Sequence, residues 1–266
     1  MSFRDARKYD THALLEVVRT EQVSPHMVRV TVGGDDLAEF PDHGFDQWFR
    51  LFLPRPAHDD ALGRLPKKVD VLGTLKFMGM SAGARPVMRC YTVRELRREQ
   101  RELDIDFVVH GDAGVAAPWA RAAQPGERLA IIDQGPGYDL REGIDHHLLV
   151  ADDTGLPAVL GILRSLPRHH RGAAWIEIPD ASDAQPHDAP DGVEVHWVVR
   201  EDGAKAGDTV RAAVQAAPVP DEPFTAYLVG EQALPTSLRR WLVTEHHVPK
   251  DRIAFVGYWR LGKAYM

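Results

Sequence analysis

Apolar residues come in short runs through the first half of the chain, several of them alternating with polar ones, the pattern of half-buried strands. The runs are Leu14–Arg19, Met27–Val32, Trp48–Leu53, Lys68–Leu72, Val87–Arg94, Leu103–His110 and Arg128–Ile132. Turn signals separate them, among them Gly33-Gly34-Asp35, Pro54-Arg55-Pro56 and Pro125-Gly126-Glu127. With a single short helix expected at Pro118–Ala123, this rhythm predicts an antiparallel barrel of six or seven strands, a closure that leaves no open sheet edge. After Gln134–Asp145 the rhythm changes. Strands are expected at His147–Ala151, Ala173–Ile178, Val193–Val199, Ala226–Val229 and Arg252–Gly257, with helices at Ala158–Leu166, Thr209–Ala216 and Pro235–Thr244. Alternation of this kind predicts a parallel sheet covered by helices. The chain therefore divides into a barrel, residues 1–140, and an α/β domain, residues 141–266, with Pro179–Asp191 as a surface loop.

Composition narrows the function. The 266 residues, 44% hydrophobic and 27% charged, suit a soluble globular protein of two modest domains or one large one. A net charge of −7 with no long basic run argues against nucleic-acid binding. The apolar runs are too short to cross a bilayer, and the opening MSFRDARKYD lacks the apolar core of a signal peptide. One cysteine, Cys90, fits a reducing cytoplasm and reads as a packed side chain rather than a redox centre. Three histidine doublets, 146–147, 169–170 and 246–247, lack zinc-type spacing, so no bound metal is expected. A Walker-type phosphate-loop motif is absent as well.

The densest chemistry lies in Arg89-Cys90-Tyr91-Thr92-Val93-Arg94. Two guanidinium groups suit a diphosphate, a phenol offers a flat face to a ring system, and a hydroxyl can bond a ring heteroatom. Strict alternation puts Arg89 and Tyr91 on one face and Thr92 and Arg94 on the other, so one ligand meets all four only where the strand twists, ends or bulges. The alternative for Arg89 and Arg94 is a pair of solvated strand charges, and for His110 a hydrogen-bonded core histidine.

Further stretches follow in order: Asp106-Phe107-Val108-Val109-His110-Gly111-Asp112-Ala113-Gly114, the turn Gly114–Ala120, Asp152-Asp153-Thr154-Gly155-Leu156-Pro157-Ala158 and the tail Gly257–Ala264. With the Arg89–Arg94 run they make the chain resemble the siderophore-interacting proteins, the ferric-siderophore reductase branch of the ferredoxin-reductase-like flavoproteins. The resemblance implies an FAD held by Arg89, Tyr91, Thr92 and Arg94 and bordered by Asp106, Val108 and His110. It implies a phosphate turn at Gly114, Ala116, Ala117 and Trp119, with Ala117 standing where the family usually has serine. Thr154 would face the FAD, and Asp153, Gly230, Glu231 and Arg200 would border NAD(P)H, though two adjacent acids sit awkwardly beside a phosphate and Arg200 reads equally as a surface arginine. Lys76, Arg260 and Lys263 would attract the ferric siderophore, the bland alternative for the tail being a frayed amphipathic end.

The expected protein is a cytoplasmic monomer that reduces iron(III) in a siderophore to iron(II), drawing electrons from NADH, NADPH or ferredoxin. Two alternatives stand beside it: a flavin-dependent reductase with another acceptor, such as a quinone, free flavin or ferredoxin, and a non-enzymatic siderophore binder.

Overall fold

A computed structural model describes residues 12–55, 58–65, 71–109 and 114–263. The first unit is a seven-stranded antiparallel sheet of β1 (His12–Ser24), β2 (Met27–Gly33), β3 (Trp48–Leu53), β4 (Val87–Thr92), β5 (Glu95–Arg97), β6 (Glu102–Val108) and β7 (Arg128–Gly135). Its spatial order is β4-β3-β7-β1-β2-β6-β5. β4 and β5 lie at opposite ends of that order, yet only Val93 and Arg94 separate them in the chain. The chain thus bridges the two outermost strands and rolls the sheet into a barrel. The Val93 amide donates to Gln47 on one side of the crossing, and the Arg94 amide donates to Asp104 on the other.

Alternation along the strands fills the barrel. Leu15 and Val17, Val28, Val30 and Val32, Phe49, Leu51 and Leu53, and Leu103, Ile105 and Phe107 all enter one buried cluster. Phe52, Ala130 and Ile132 point outward and are covered by Leu62, Leu65 and Phe77. Phe77 belongs to α1 (Val71–Met78), which corrects the expected strand at Lys68–Leu72: Val71 and Leu72 open a helix, and Lys68 to Asp70 lie outside the described residues. The seventh strand is instead β5, held to β6 by a bidentate Arg97–Asp104 pair with both bonds at 2.7 Å.

The second unit is a five-stranded, wholly parallel sheet of β8 (His146–Ala151), β9 (Arg171–Ile178), β10 (Gly192–Val199), β11 (Thr225–Glu231) and β12 (Ile253–Trp259), in the order β10-β9-β8-β11-β12. Helix α2 (Ala116–Ala122) closes the barrel, while α3 (Leu156–Ser165), α4 (Asp208–Ala216) and α5 (Ala233–Thr244) cover the second sheet. Leu149 and Ala151 pack against α3 on one face, and Leu148 and Val150 pack under α4 and α5 on the other. β8 is buried on both faces, which is why it reads as an unbroken apolar run.

The two units are bonded to each other. The Phe45 amide donates to Ser165 Oγ at 2.7 Å, so the barrel loop lies along α3. Ser24 and His26, at the β1–β2 turn, bond Asp183. The stretch expected as a surface loop therefore carries a buried carboxylate clasped to the barrel.

Gly161 lies one helical turn before Ser165, and a Cβ there would come within 2.1 Å of the Phe45 carbonyl oxygen. Gly161→Ala should push the barrel off α3 and lower stability by roughly 1–3 kcal/mol. Thermal unfolding checks this, as a midpoint falling by several degrees.

Candidate functional site

β4 is the outermost strand on its side of the barrel sheet, pairing with β3 from Trp48↔Thr92 to Leu53↔Val87. Among the described residues no strand pairs with its other side, so its backbone offers unpaired N–H and C=O groups to a ligand. The turn from β4 into β5 removes the obstacle that alternation posed for Arg89–Arg94, because the strand ends inside the motif. Arg89 is half-buried and, among the described residues, bonds only the carbonyl of its neighbour Met88, at 2.7 Å. Tyr91 packs against Phe107 with centroids 4.4 Å apart, and Phe107 packs against Trp119 at 5.6 Å. Arg94 Nε lies 3.4 Å from Asp106 Oδ2 but is buried without a hydrogen bond. Burial pulls the Arg94 guanidinium below its usual range, with Asp106 opposing that fall. Asp106 is itself gripped by Arg29 at 2.7 and 2.9 Å.

Val108 is half-buried at the end of β6, and His110 lies outside the described residues. Gly114 has φ +91 and open space where a Cβ would stand, directly before α2. In α2, Ala116 is buried, Ala117 is half-buried, and the Trp119 indole donates to Glu127 at 3.0 Å. An arginine bonded only to its neighbour's carbonyl, an aromatic floor, an unbonded buried Nε and an open glycine turn beside an unpaired strand edge fit a flat cofactor carrying a diphosphate.

The second part of the site is the crevice where the order of the parallel strands reverses, between β8 and β11, the usual ligand position in such sheets. Asp152, fully buried after β8, ties this crevice together. Its carboxylate accepts from the amides of Thr154 (3.0 Å) and Glu231 (2.7 Å) and from the Trp259 indole (3.1 Å). Gly230 adopts φ +128 beside it, where a Cβ would meet the carboxylate at 2.6 Å. Burial, then the Asp153 carboxylate, pushes Asp152 up to about 6. Asp153 is buried and sits 3.4 Å from Arg200, which spends its Nε on Glu177 at 2.7 Å. The awkward pair of acids is thus turned inward. Glu231 bonds the Ala233 and Leu261 amides at the end of β11.

β12 joins the two parts through consecutive aromatics. Trp259 holds Asp152, while Tyr258 lies beside the Thr92 side chain in β4 and hydrogen-bonds the Tyr227 hydroxyl in β11. Tyr227 donates in turn to Asp46, in the loop before β3. Asp46, Tyr227 and Arg29 carry no local sequence signal; Asp46 finds its partners 91, 92 and 181 residues along the chain. The tail residues Arg260 and Lys263 form an exposed bridged turn after β12, and Lys76 is exposed on α1.

Two family models account for the chain: the siderophore-interacting FAD-binding domain matches residues 16–139, and the siderophore-interacting protein model matches residues 144–262. The chain belongs to the siderophore-interacting protein family. It is 33% identical to the ferric vibriobactin reductase ViuB of Vibrio cholerae, covering 94% of this chain and 90% of that one. Identity is 30% with the NADPH-dependent ferric-chelate reductase of Escherichia coli, over 92% and 91% of the two chains. A siderophore utilization protein from T. fusca superposes with a TM-score of 0.81 at 32% identity, covering 98% of this chain and 97% of that one. The ferredoxin-reductase-like barrel and α/β pair that the resemblance implied is the observed architecture, and FAD is the cofactor of the barrel.

The buried carboxyl at Asp152 has a pH signature. Between about pH 4 and about pH 6 the native state keeps a proton that the unfolded chain has released, so this group's stabilising contribution is full at lower pH and is lost as pH rises. Asp152→Asn removes that dependence. Denaturant unfolding of both proteins across the window should show the wild type losing up to roughly 3 kcal/mol relative to the variant as pH rises.

Proposed function

We propose that this protein is an FAD-dependent reductase that reduces iron(III) held by a siderophore and releases it as iron(II), with NAD(P)H as the electron source. The observation that carries the reading is the end of β12: Tyr258, bonded to Tyr227, lies beside the cofactor strand at Thr92, and Trp259 holds the nucleotide crevice at Asp152. A ring on the β4 edge and a nicotinamide at the crevice would therefore be neighbours. The names of two relatives, a ferric vibriobactin reductase and an NADPH-dependent ferric-chelate reductase, support the same chemistry.

FAD, when bound, accepts an electron pair from a nicotinamide and hands electrons on singly. The protein's part is to bind and orient. Arg89 and Arg94 meet the diphosphate, Tyr91 supports the ring from its Phe107-backed face, and Thr92 bonds a ring heteroatom. Asp106 and Val108 border the cofactor, the turn at Gly114, Ala116 and Ala117 offers backbone N–H groups, Trp119 keeps its amide on the Val115 carbonyl and backs the aromatic stack, and Thr154 faces the ring from the second domain. Asp153, Gly230 and Glu231 line the nucleotide side, where Arg200 has one terminal nitrogen left for a phosphate after bonding Glu177 and Asp153. Lys76, Arg260 and Lys263, exposed on α1 and the terminal turn, offer positive charge to an anionic or oxygen-rich chelate. Iron(II) is released because its lower charge binds hard oxygen ligands less tightly. We place this activity in the cytoplasm and in a monomer; among the described residues no helix is long and apolar enough to cross a membrane.

Anaerobic mixing with NADH or NADPH should bleach the flavin spectrum, and a ferric siderophore should restore it faster than buffer alone. A flavin that reoxidises no faster with the chelate points to another acceptor, such as a quinone or ferredoxin, and a protein that takes up no FAD points to a siderophore binder. Arg89→Ala should weaken FAD binding about tenfold or more, read by retention of yellow colour on desalting and by fluorescence titration of the apoprotein.

A further inference from the structure

Helices α3, α4 and α5 each follow a strand of the parallel sheet, so all three start at its carboxyl edge. In dinucleotide-binding sheets the free backbone N–H groups of such a start hold the pyrophosphate. Here each start already holds a carboxylate of the protein itself. In the turn into α3, Asp152 takes the Thr154 amide at 3.0 Å. At α4, Glu177 takes the Gly207 and Val210 amides at 2.8 and 3.1 Å. At α5, Glu231 takes the Ala233 amide at 2.6 Å and reaches on to the Leu261 amide at 3.1 Å. All three carboxylates are buried.

The neighbouring donors are closed as well. Gly155 donates to the Asp152 carbonyl, Leu156 to the Asp153 carbonyl and Gln232 to the Trp259 carbonyl. Pro157 and Pro235 carry no N–H, and Ala158 and Leu234 are buried. Among the described residues, no backbone N–H from Thr154 to Pro157, or at Gln232 and Ala233, is left for a phosphate. Gly230 gives the close backbone approach that a pyrophosphate would use, but the group approaching it is the Asp152 carboxylate. Arg200 bonds Glu177 at 2.7 Å and lies 3.4 Å from Asp153, so one cation stands between two carboxylates. Its remaining nitrogen offers a phosphate a single contact without net positive charge. Past the ends of β9 and β10 come Asp180, Glu201 and Asp202, all exposed.

We propose that this domain recognises the dihydronicotinamide end of its electron donor and not the phosphates. Reduced nicotinamide mononucleotide, or the phosphate-free dihydronicotinamide riboside, then serves as well as NADH or NADPH. The inference rests on the reading of NAD(P)H as the electron source and deepens it. Each of these donors gives up one hydride, a hydrogen with two electrons, and leaves as the pyridinium cation, while FAD takes both electrons. Adenosine and phosphates share in no bond change. They add only binding, and this edge has its donors turned to its own acids.

Anaerobic stopped-flow reduction of the FAD-loaded protein compares the second-order rate constants of NADH, NADPH, the reduced mononucleotide and the reduced riboside. Neither dinucleotide should exceed the riboside by more than about tenfold. A larger advantage overturns the proposal and leaves NAD(P)H standing as the donor. If none of the four reduces the flavin, the donor reading fails and this inference with it. A second readout needs no turnover. ADP-ribose, which keeps the phosphates and adenosine without the nicotinamide, is titrated calorimetrically into the FAD-loaded protein, whose cofactor site is filled. A dissociation constant weaker than about 1 mM is expected, and a tighter one overturns the proposal.

Discussion

The fold turns on one carboxylate. Asp46 leaves the barrel just before β3 and is almost wholly buried; it takes the Gly137 and Tyr138 amides of the connecting segment and the Tyr227 phenol of the second sheet. A carboxyl removed from water with no partners would cost several kcal/mol. Three donors offset that cost, and all three are in place only when barrel, connection and α/β sheet have the observed arrangement. An apolar contact would tolerate sliding between the domains, whereas this one defines a single register. The Phe45–Ser165 bond and the Asp183 clasp at the β1–β2 turn act in the same direction from other points of the seam.

That fixed register makes a site out of two incomplete halves. The β4 edge has guanidinium groups and an aromatic floor but nothing to meet a nicotinamide. The crevice between β8 and β11 is the usual ligand position of a parallel sheet but lacks a flat platform. Trp259 bonds the crevice at Asp152, and Tyr258, adjacent to it in β12, lies beside Thr92 on the β4 edge. Residues adjacent in a strand point to opposite sides, so a single strand end can brace two walls.

The strands of both domains were legible in two ways: Trp48–Leu53 alternates into and out of the barrel core, and the 148–151 run of β8 is apolar on both faces. The Arg89–Arg94 run was legible as chemistry and not as geometry, since the crossing at Val93 and Arg94 depends on Gln47 and Asp104, distant in sequence. The stretch 68–72 misled because a short apolar run fits a strand and a helix equally well; Val71 and Leu72 open α1, whose Phe77 packs on Phe52. Asp46 gave no signal at all: it stands between a phenylalanine and a glutamine in a loop, and its partners are set by tertiary structure alone. Tyr227 was equally hidden, inside a strand whose other residues are buried and mostly apolar.

The acidic loop shows how a local electrostatic objection dissolves in three dimensions. Two adjacent carboxylates beside a dinucleotide would repel its phosphates if both faced the crevice. Instead Asp152 turns toward the amides of Thr154 and Glu231 and the Trp259 indole, and Asp153 turns toward Arg200, which also neutralises the buried Glu177. Their charge is spent on holding β8, β11 and β12 together at the point where the strand order reverses. The same economy governs Asp46, whose partners are structural on one oxygen and hydroxylic on the other. A carboxylate fixed only by backbone amides is an anchor. One that also accepts from a phenol of the second sheet ties barrel, connection and α/β sheet to a single register.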